Sequence, residues 1–348
     1  MKSLIIASTQ EAAGKTSLGV ALARRPDLQI GYVKPLGDRP LYRKKRLWDY
    51  DASLFYRLLG LDQKPETASL GFDHSKLRYT YDRRSAFDAL AERLETAGQD
   101  RDLVLIECGP SLSYGASIFL DPLTISQETG HPVLIVAGGT EDAIADELAF
   151  VQRFVGTDEA HVAGVVINKV THVEDFRETY LPEIERMGLE VFGVVPHRKE
   201  LATRSVSLIA DRLFARVLAG EAGLRRTIRT VAVGAMSVGA AMADSLIAAP
   251  DKLVITSGDR SDMILAAIDA GGTAGIVLTN NIIPPANVVS RAAEADVPLL
   301  LVPGDTYAVA LQVERIDPLL TADDDARIDL LEELFAENVD FGKLLDAV

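Results

Sequence analysis

The run Thr9-Gln10-Glu11-Ala12-Ala13-Gly14-Lys15-Thr16, continued by Ser17, joins a glycine turn, a lysine and a hydroxyl in the order used to hold phosphates. Backbone N–H groups of Ala12, Ala13, Gly14, Lys15, Thr16 and Ser17 would wrap a β-phosphate at the start of a helix. Lys15 would reach the β and γ oxygens. Thr16 would place its hydroxyl on Mg²⁺, an ion that also asks for one or two carboxylates and several waters. Thr9 stands where the usual motif has its first glycine, so the pattern alone also fits a plain turn from strand to helix.

Further candidates share one trait: each ends a run of branched apolar residues. Glu107 closes Leu103–Ile106, and a carboxylate there can ligate Mg²⁺ or its waters; an ordinary strand-end acid is the alternative. Lys34 follows Ile30–Val33 in Lys34-Pro35-Leu36-Gly37, where a cation could balance a transferring phosphoryl group or simply face solvent. Asn168 and Lys169 end Val162–Ile167, and an asparagine amide can read an adenine edge with its donor and its acceptor. Cys108 has no histidine nearby in sequence and reads as a small buried residue. The basic run Arg43-Lys44-Lys45-Arg46 suits a solvated loop better than a substrate patch.

To bring these residues together the chain must alternate strands with helices. Strands are expected at Leu4–Ser8, Ile30–Val33, Leu103–Ile106, Val133–Ala137, Val162–Ile167 and Val191–Val195. Helices are expected at Ser17–Arg24, Ala86–Glu95, Asp142–Phe154 and Asp175–Met187. The alternation predicts a doubly wound, mainly parallel α/β sheet, whose carboxyl edge carries all the candidates. A helical stretch at Val206–Leu218 and the polar segment Glu221–Arg229 then place a domain boundary. Beyond it, strands at Val231–Ala235, Leu253–Thr256, Gly275–Leu278 and Pro298–Val302 alternate with helices at Gly239–Ala248, Ser261–Ala270, Asn287–Ala295 and Thr306–Val313, a second, smaller α/β domain. Asp323-Asp324-Asp325 would cap a last helix through Phe335. The expected division is therefore 1–222, 226–320 and a helical tail 321–348.

Composition agrees with a globular chain. Of 348 residues, 48% are hydrophobic and 25% charged, and the formal net charge is -15. Such a field repels nucleic acid and anionic membrane, so a phosphate ligand needs a local, backbone-built site. One cysteine makes no internal disulfide. The apolar start Met1–Ala7 is too short for a signal peptide or a membrane span, and a cytoplasmic location is expected.

With these residues in hand, the first half resembles the dethiobiotin synthetase and cobyrinic acid a,c-diamide synthase class of P-loop enzymes. The whole chain more closely resembles the N-terminal region of long phosphotransacetylases, in which a dethiobiotin-synthetase-like domain precedes a DRTGG domain. The resemblance runs from about residue 3 to about residue 315. It rests on Thr9–Ser17, Tyr32–Leu36, Leu103–Leu112, Gly164–Val170, Gly193–Pro196, Gly234–Val238, Gly258–Asp262 and Val302–Tyr307.

Threonine is also common at the first loop position of dethiobiotin synthetases. The resemblance implies ATP and Mg²⁺ as cofactors, with Lys15 and Lys34 on the phosphates. Thr16, Glu107 and an aspartate of Trp48-Asp49-Tyr50-Asp51 would be metal ligands, Asp51 preferred to Asp49, and Asn168 the adenine reader. Lys15, Lys34 and Glu107 would then carry the catalysis, and a homodimer is expected.

Two departures follow. The family's glycine-rich turn reads Cys108-Gly109-Pro110-Ser111 here, and Gln10 replaces a lysine that acts across a dimer in a related ATPase class. The acetyl-transferring domain lies outside the chain, so acetyl transfer is not expected of it. In the second domain Gly258-Asp259-Arg260-Ser261-Asp262 would hold a small anion through the Arg260 fork, or serve only to cap a helix. Two functions stay open. One is ATP-dependent activation of a carboxylate or carbamate, through a mixed anhydride open to an amine. The other is a nucleotide-binding regulatory module that senses ATP or another small-molecule effector, passes the signal to a partner, and hydrolyses slowly or not at all.

Overall fold

The computed structural model describes residues 2–43, 46–154, 160–234, 237–239 and 249–348. They fall into two units, Met1–Arg198 with Asp325–Val348 and Lys199–Asp324. In the first unit β1 (Lys2–Ser8) hands over to α1 (Lys15–Ala23) and β2 (Ile30–Val33). A hairpin of β3 (Pro40–Arg43) and β4 (Arg46–Asp49) leads to α2 (Tyr50–Leu58), α3 (His74–Thr80) and α4 (Arg83–Ala97). There follow β5 (Leu103–Glu107), α5 (Pro122–Thr129), β6 (Val133–Gly138), α6 (Glu141–Phe154) and β7 (Val162–Val170). Helices α7 (Val173–Thr179) and α8 (Leu181–Arg186) then reach β8 (Val191–Pro196).

Six parallel strands lie in the order β2-β5-β1-β6-β7-β8. Alternation along β1 sends Ile5 and Ala7 into a core with Leu90 and Leu94 of α4, Ile125 of α5 and Ile144 and Leu148 of α6. Leu4 and Ile6 point the other way and are equally buried, on the side where α1 packs. Both faces are covered, as a doubly wound parallel sheet requires, and each buried leucine or isoleucine side chain contributes roughly 1.5–3 kcal/mol. The chain crosses to β2 on one side of β1 and later to β6 on the other. The crevice beyond β1 is thus the topological switch point, where open α/β sheets bind ligands.

The last two helices of the chain also belong to this unit. Their sequence positions follow those of the second unit, whose elements therefore come first. Arg204–Ser205 (β9) pairs antiparallel with Thr227–Ile228 (β11), and between them lie α9 (Val206–Arg212) and β10 (Arg216–Ala219). Next come β12 (Thr230–Val233), β13 (Lys252–Ser257), α10 (Ser261–Asp269), β14 (Thr273–Thr279), α11 (Ala286–Glu294), β15 (Leu299–Leu301) and α12 (Thr306–Glu314). The sheet order is β10-β15-β14-β13-β12, parallel except for β10.

Chain end and first unit then rejoin. Helix α13 (Asp325–Asn338) packs on α1, burying Ile328, Leu331, Leu334 and Phe335, and α14 (Phe341–Asp346) follows. Asp340 donates its N–H to the Phe192 carbonyl at 2.8 Å, and Arg24 meets Asp329 and Glu332. Among the described residues no helix is long and apolar enough to cross a membrane.

A strand forms in each of the expected runs, with Pro298–Val302 shortened to Leu299–Leu301 and Ala235 of Val231–Ala235 lying outside the described residues. Three differences have physical causes. The helix expected over Val206–Leu218 stops at Arg212, because Arg216–Ala219 pairs with Leu299–Leu301 and this long-range ladder overrides local helical spacing. The segment Asp175–Met187 breaks into α7 and α8, with Pro182 in the first turn of the second helix, where its missing N–H costs nothing. The division also differs from 1–222, 226–320 and 321–348: residues 199–229 are tied into the second unit by the β9–β11 and β10–β15 pairings, and residues 325–348 into the first. The helix expected at Gly239–Ala248 falls largely outside the described residues, as do Lys44 and Lys45 of the basic run.

Candidate functional site

After β1 the chain turns through Ala12 at φ 58° and Gly14 at φ 110°, both left-handed, before α1 begins. Gly14 has two reasons to lack a side chain: its φ, and a Cβ that would lie 2.0 Å from Asn168 Nδ2. Among the described residues no side-chain cap bond marks the start of α1, so its first N–H groups remain for a ligand. Lys15 is buried and donates to Ser8 Oγ at 2.7 Å. Burial lowers its pKa from the ordinary value. The Thr9 hydroxyl is buried with no hydrogen-bond partner among the described residues.

Thr16 donates its hydroxyl to Glu107 Oε1 at 2.8 Å. Glu107 is the last residue of β5, in register with Ile6 of β1, and its other oxygen accepts from the Tyr32 hydroxyl at 3.1 Å. Burial and the nearby Asp51 push the Glu107 carboxyl up to about 7.

Lys34 lies one residue past β2, in an extended run that pairs with residues 68–71. Its N–H donates to the Ala68 carbonyl at 3.0 Å, and Gly37 N–H donates to Gly71 at 2.9 Å. Its ammonium sits 2.5 Å from Asp38 Oδ1, 2.5 Å from Asp51 Oδ2 and 3.4 Å from Asp49 Oδ1. Burial alone would lower the Lys34 pKa, but Asp51, Asp49, Glu107 and Asp38 together hold it well above the ordinary value. Asp51 is buried too, and Lys34 and Arg39 keep its pKa below the ordinary value.

Asp49 has a different task. It caps α2, Oδ1 accepting from the backbone of Asp51 and Ala52 and Oδ2 from Asp38 and Arg39. Asp51 meets side chains instead, which suits it better to ligation. The structure brings Lys15, Thr16, Glu107, Lys34 and Asp51 to one sheet edge. Asp38, Tyr32 and Arg39 were not singled out from the sequence. Tyr32 and Lys34 are two apart on an extended run, and that spacing was the available signal.

Asn168 has work other than an adenine edge: its Nδ2 donates to the Ala13 carbonyl at 2.9 Å, and Oδ1 accepts from Lys169 N–H at 2.9 Å. Lys169 Nζ donates to the Ala12 carbonyl at 2.6 Å. Together the pair braces the loop from β7. Cys108 is buried, and burial raises its thiol pKa. In the second unit Arg260 forks onto Asp262 at 3.0 and 3.2 Å, while among the described residues no side-chain cap bond marks the start of α10. Gly258 is obligatory there, since a Cβ would meet the Ile282 carbonyl at 1.7 Å.

The donors around Thr16 are hydroxyl and carboxylate oxygens, the hard set that Mg²⁺ prefers. Thr16, Glu107 and Asp51 would hold it. A pH effect follows. With its folded pKa at about 7, above the ordinary 4.5, Glu107 favours the fold while protonated, and that contribution is lost as pH rises through 7. Metal binding needs the carboxylate. Mg²⁺-dependent stabilisation by a nucleotide should therefore grow between pH 6 and pH 8, with a change in apparent metal affinity of about tenfold. Melting curves across that range, with and without Mg²⁺, check it; a flat profile contradicts the assignment of Glu107.

Comparison with known proteins adds two family matches and several relatives. A family model described as an AAA domain matches residues 2–205, and one described as a DRTGG domain matches residues 208–316. The phosphate acetyltransferase of Pseudomonas aeruginosa is 25% identical over 98% of this chain and 51% of its own length. That of Deinococcus radiodurans is 27% identical over 98% of the chain and 50% of its own. The chain thus spans about half the length of the curated relatives it matches. Among solved structures, a plasmid partition protein from Borrelia burgdorferi bound to AMPPNP aligns at TM-score 0.31 and 16% identity, over 57% of this chain and 88% of that one. The CBS and DRTGG domains of the Clostridium perfringens pyrophosphatase regulatory region, complexed with diadenosine tetraphosphate, align at TM-score 0.30 and 18% identity, over 34% and 49%.

Proposed function

Because the chain belongs to the AAA domain family through residues 2–205, we propose that its first unit binds ATP with Mg²⁺ on the loop Thr9–Thr16. One observation carries this: the Thr16 hydroxyl and the Glu107 carboxylate meet at 2.8 Å beside Lys15, at the switch point of the sheet. Backbone N–H groups at the start of α1 would cradle the phosphates, and Lys15 would exchange Ser8 for phosphate oxygens. A bound Mg²⁺ would neutralise phosphate charge there. Gly14, Asn168 and Lys169 keep the loop in the shape required.

The chemistry best matched to two lysines is transfer of the γ-phosphoryl group to a carboxylate or carbamate oxygen, as in the dethiobiotin synthetase class. Such transfer depends on positioning and charge rather than covalent help from the protein. A regulatory role is favoured by a separate observation: phosphate acetyltransferases carry the whole of this stretch, second unit included. ATP turnover separates the two. For an enzyme, Lys34→Met should lower turnover by about two to three orders of magnitude, the worth of one aimed charge in such a step. ATP affinity should stay within a few fold. A metabolite that stimulates the wild type, drawn from a panel of amines and carboxylates, would identify the acceptor. Negligible wild-type turnover across the panel, with tight ATP binding, would establish the regulator instead.

A further inference from the structure

Lys34 is 1% exposed; its ammonium donates to Asp51 Oδ2 and forms ion pairs with Asp38 and Asp49. Carboxylate oxygens of these three aspartates lie within 4.8 Å of one another, a span that cation–oxygen bonds of about 2.0–2.6 Å would bridge. One ammonium therefore stands among three carboxylates, with Arg39 adding a contact to Asp51 at 3.4 Å. The cage adjoins the phosphate loop. Tyr32 links Glu107 to the same strand end, and Asp51 lies in electrostatic reach of both Glu107 and Lys15.

We propose that Lys34 is a built-in counter-ion, whose ammonium closes the aspartate cage to divalent cations until a metal–nucleotide complex draws it out toward the phosphates. Buried carboxylates need a compensating cation, so the cage is held by Lys34 or by a metal. Two cations cannot share it. Free metal then competes poorly, because binding it means expelling an ammonium that has nowhere else to go. A nucleotide changes this by offering phosphate oxygens to the displaced lysine. Asp38 acts as a positioning residue, holding Lys34 back from the loop. The closing of the cage stands without a nucleotide, whereas the release of Lys34 rests on the Mg–ATP reading.

The test uses Mn²⁺ alone, titrated into the nucleotide-free full chain and followed by the paramagnetic signal of the free ion. Wild type should take up no stoichiometric Mn²⁺. Lys34→Met, purified in Mg²⁺ and then exchanged, should bind one ion at least tenfold more tightly and melt higher with Mn²⁺ than without. Adding Asp38→Asn to that variant should undo most of the gain. Equal binding by wild type and Lys34→Met, or stoichiometric Mn²⁺ on the wild type, would overturn the proposal. Should Lys34→Met not fold even with metal, Asp38→Asn alone decides. It should bind ATP several-fold more tightly than wild type in EDTA, since Lys34 is easier to withdraw, and unchanged or weaker binding would overturn the release. The Mn²⁺ arm contains no nucleotide, so its failure is distinct from a failure of ATP binding.

Discussion

Residues 1–198 without 325–348 are expected not to fold, although the segment removed follows the whole second unit in sequence. Helices α13 and α14 bury Ile328, Leu331, Leu334, Phe335, Phe341 and Leu344. Six such side chains contribute roughly 9–18 kcal/mol as an upper figure. A domain has about 5–15 kcal/mol in total. The loss also uncovers α1, the helix that starts at the phosphate loop, and the edge of β8, where Val339 bridges Gly193. Residues 1–198 joined to 325–348 by a flexible linker should recover a cooperative melt by circular dichroism. Phe335→Ala in the full chain should cost about 3–5 kcal/mol. If 1–198 alone melts like the linked form, the two helices are not part of this unit's core.

Mg–ATP should raise the melting temperature of the first unit, and two substitutions should abolish the effect by different routes. At a hundredfold excess over its dissociation constant, ATP stabilises by about 2.7 kcal/mol. For a unit of this size that is about 5–10 °C. Lys15→Ala should remove most of the shift with or without metal, because Lys15 would meet the phosphates directly. Glu107→Gln should remove only the Mg²⁺-dependent part. Its amide keeps an acceptor for Thr16, and it relieves a buried carboxylate whose pKa is pushed up to about 7, so without ligand it should melt no lower than wild type at pH 8. A Glu107→Gln shift equal to that of wild type at every Mg²⁺ concentration would remove Glu107 from the metal site.

The parallel sheet was legible because its strands are buried on both faces and read as short apolar runs. So was the sheet edge, since Lys34, Glu107 and Asn168 each directly follow or end such a run. The hairpin Pro40–Asp49 was not. Its exposed Tyr42 and Leu47 break the alternation that marks a half-buried strand. Val206–Leu218 misled for the opposite reason: its apolar spacing suits a helix, and only a partner about 80 residues away turns Arg216–Ala219 into a strand.

At the site, sequence suggested what each residue could bind but not what it already holds. Asn168 has the chemistry to read a base, yet its amide is engaged on Ala13. Asp38 gave no signal at all, as an aspartate four residues after a lysine is ordinary in a loop, and only the fold closes it onto Lys34 with Asp49 and Asp51. Asp49 and Asp51 were indistinguishable by spacing. Four backbone N–H groups at Asp49 separate them.

The most direct test of the central claim is a calorimetric titration of ATP into the full chain, in Mg²⁺ and in EDTA, with Lys15→Ala alongside. One saturable site is expected on the wild type, tighter in Mg²⁺ than in EDTA, and at least tenfold weaker on Lys15→Ala. Absence of binding by any nucleoside triphosphate, or equal affinity for wild type and Lys15→Ala, would contradict the assignment of Thr9–Thr16 as a nucleotide site.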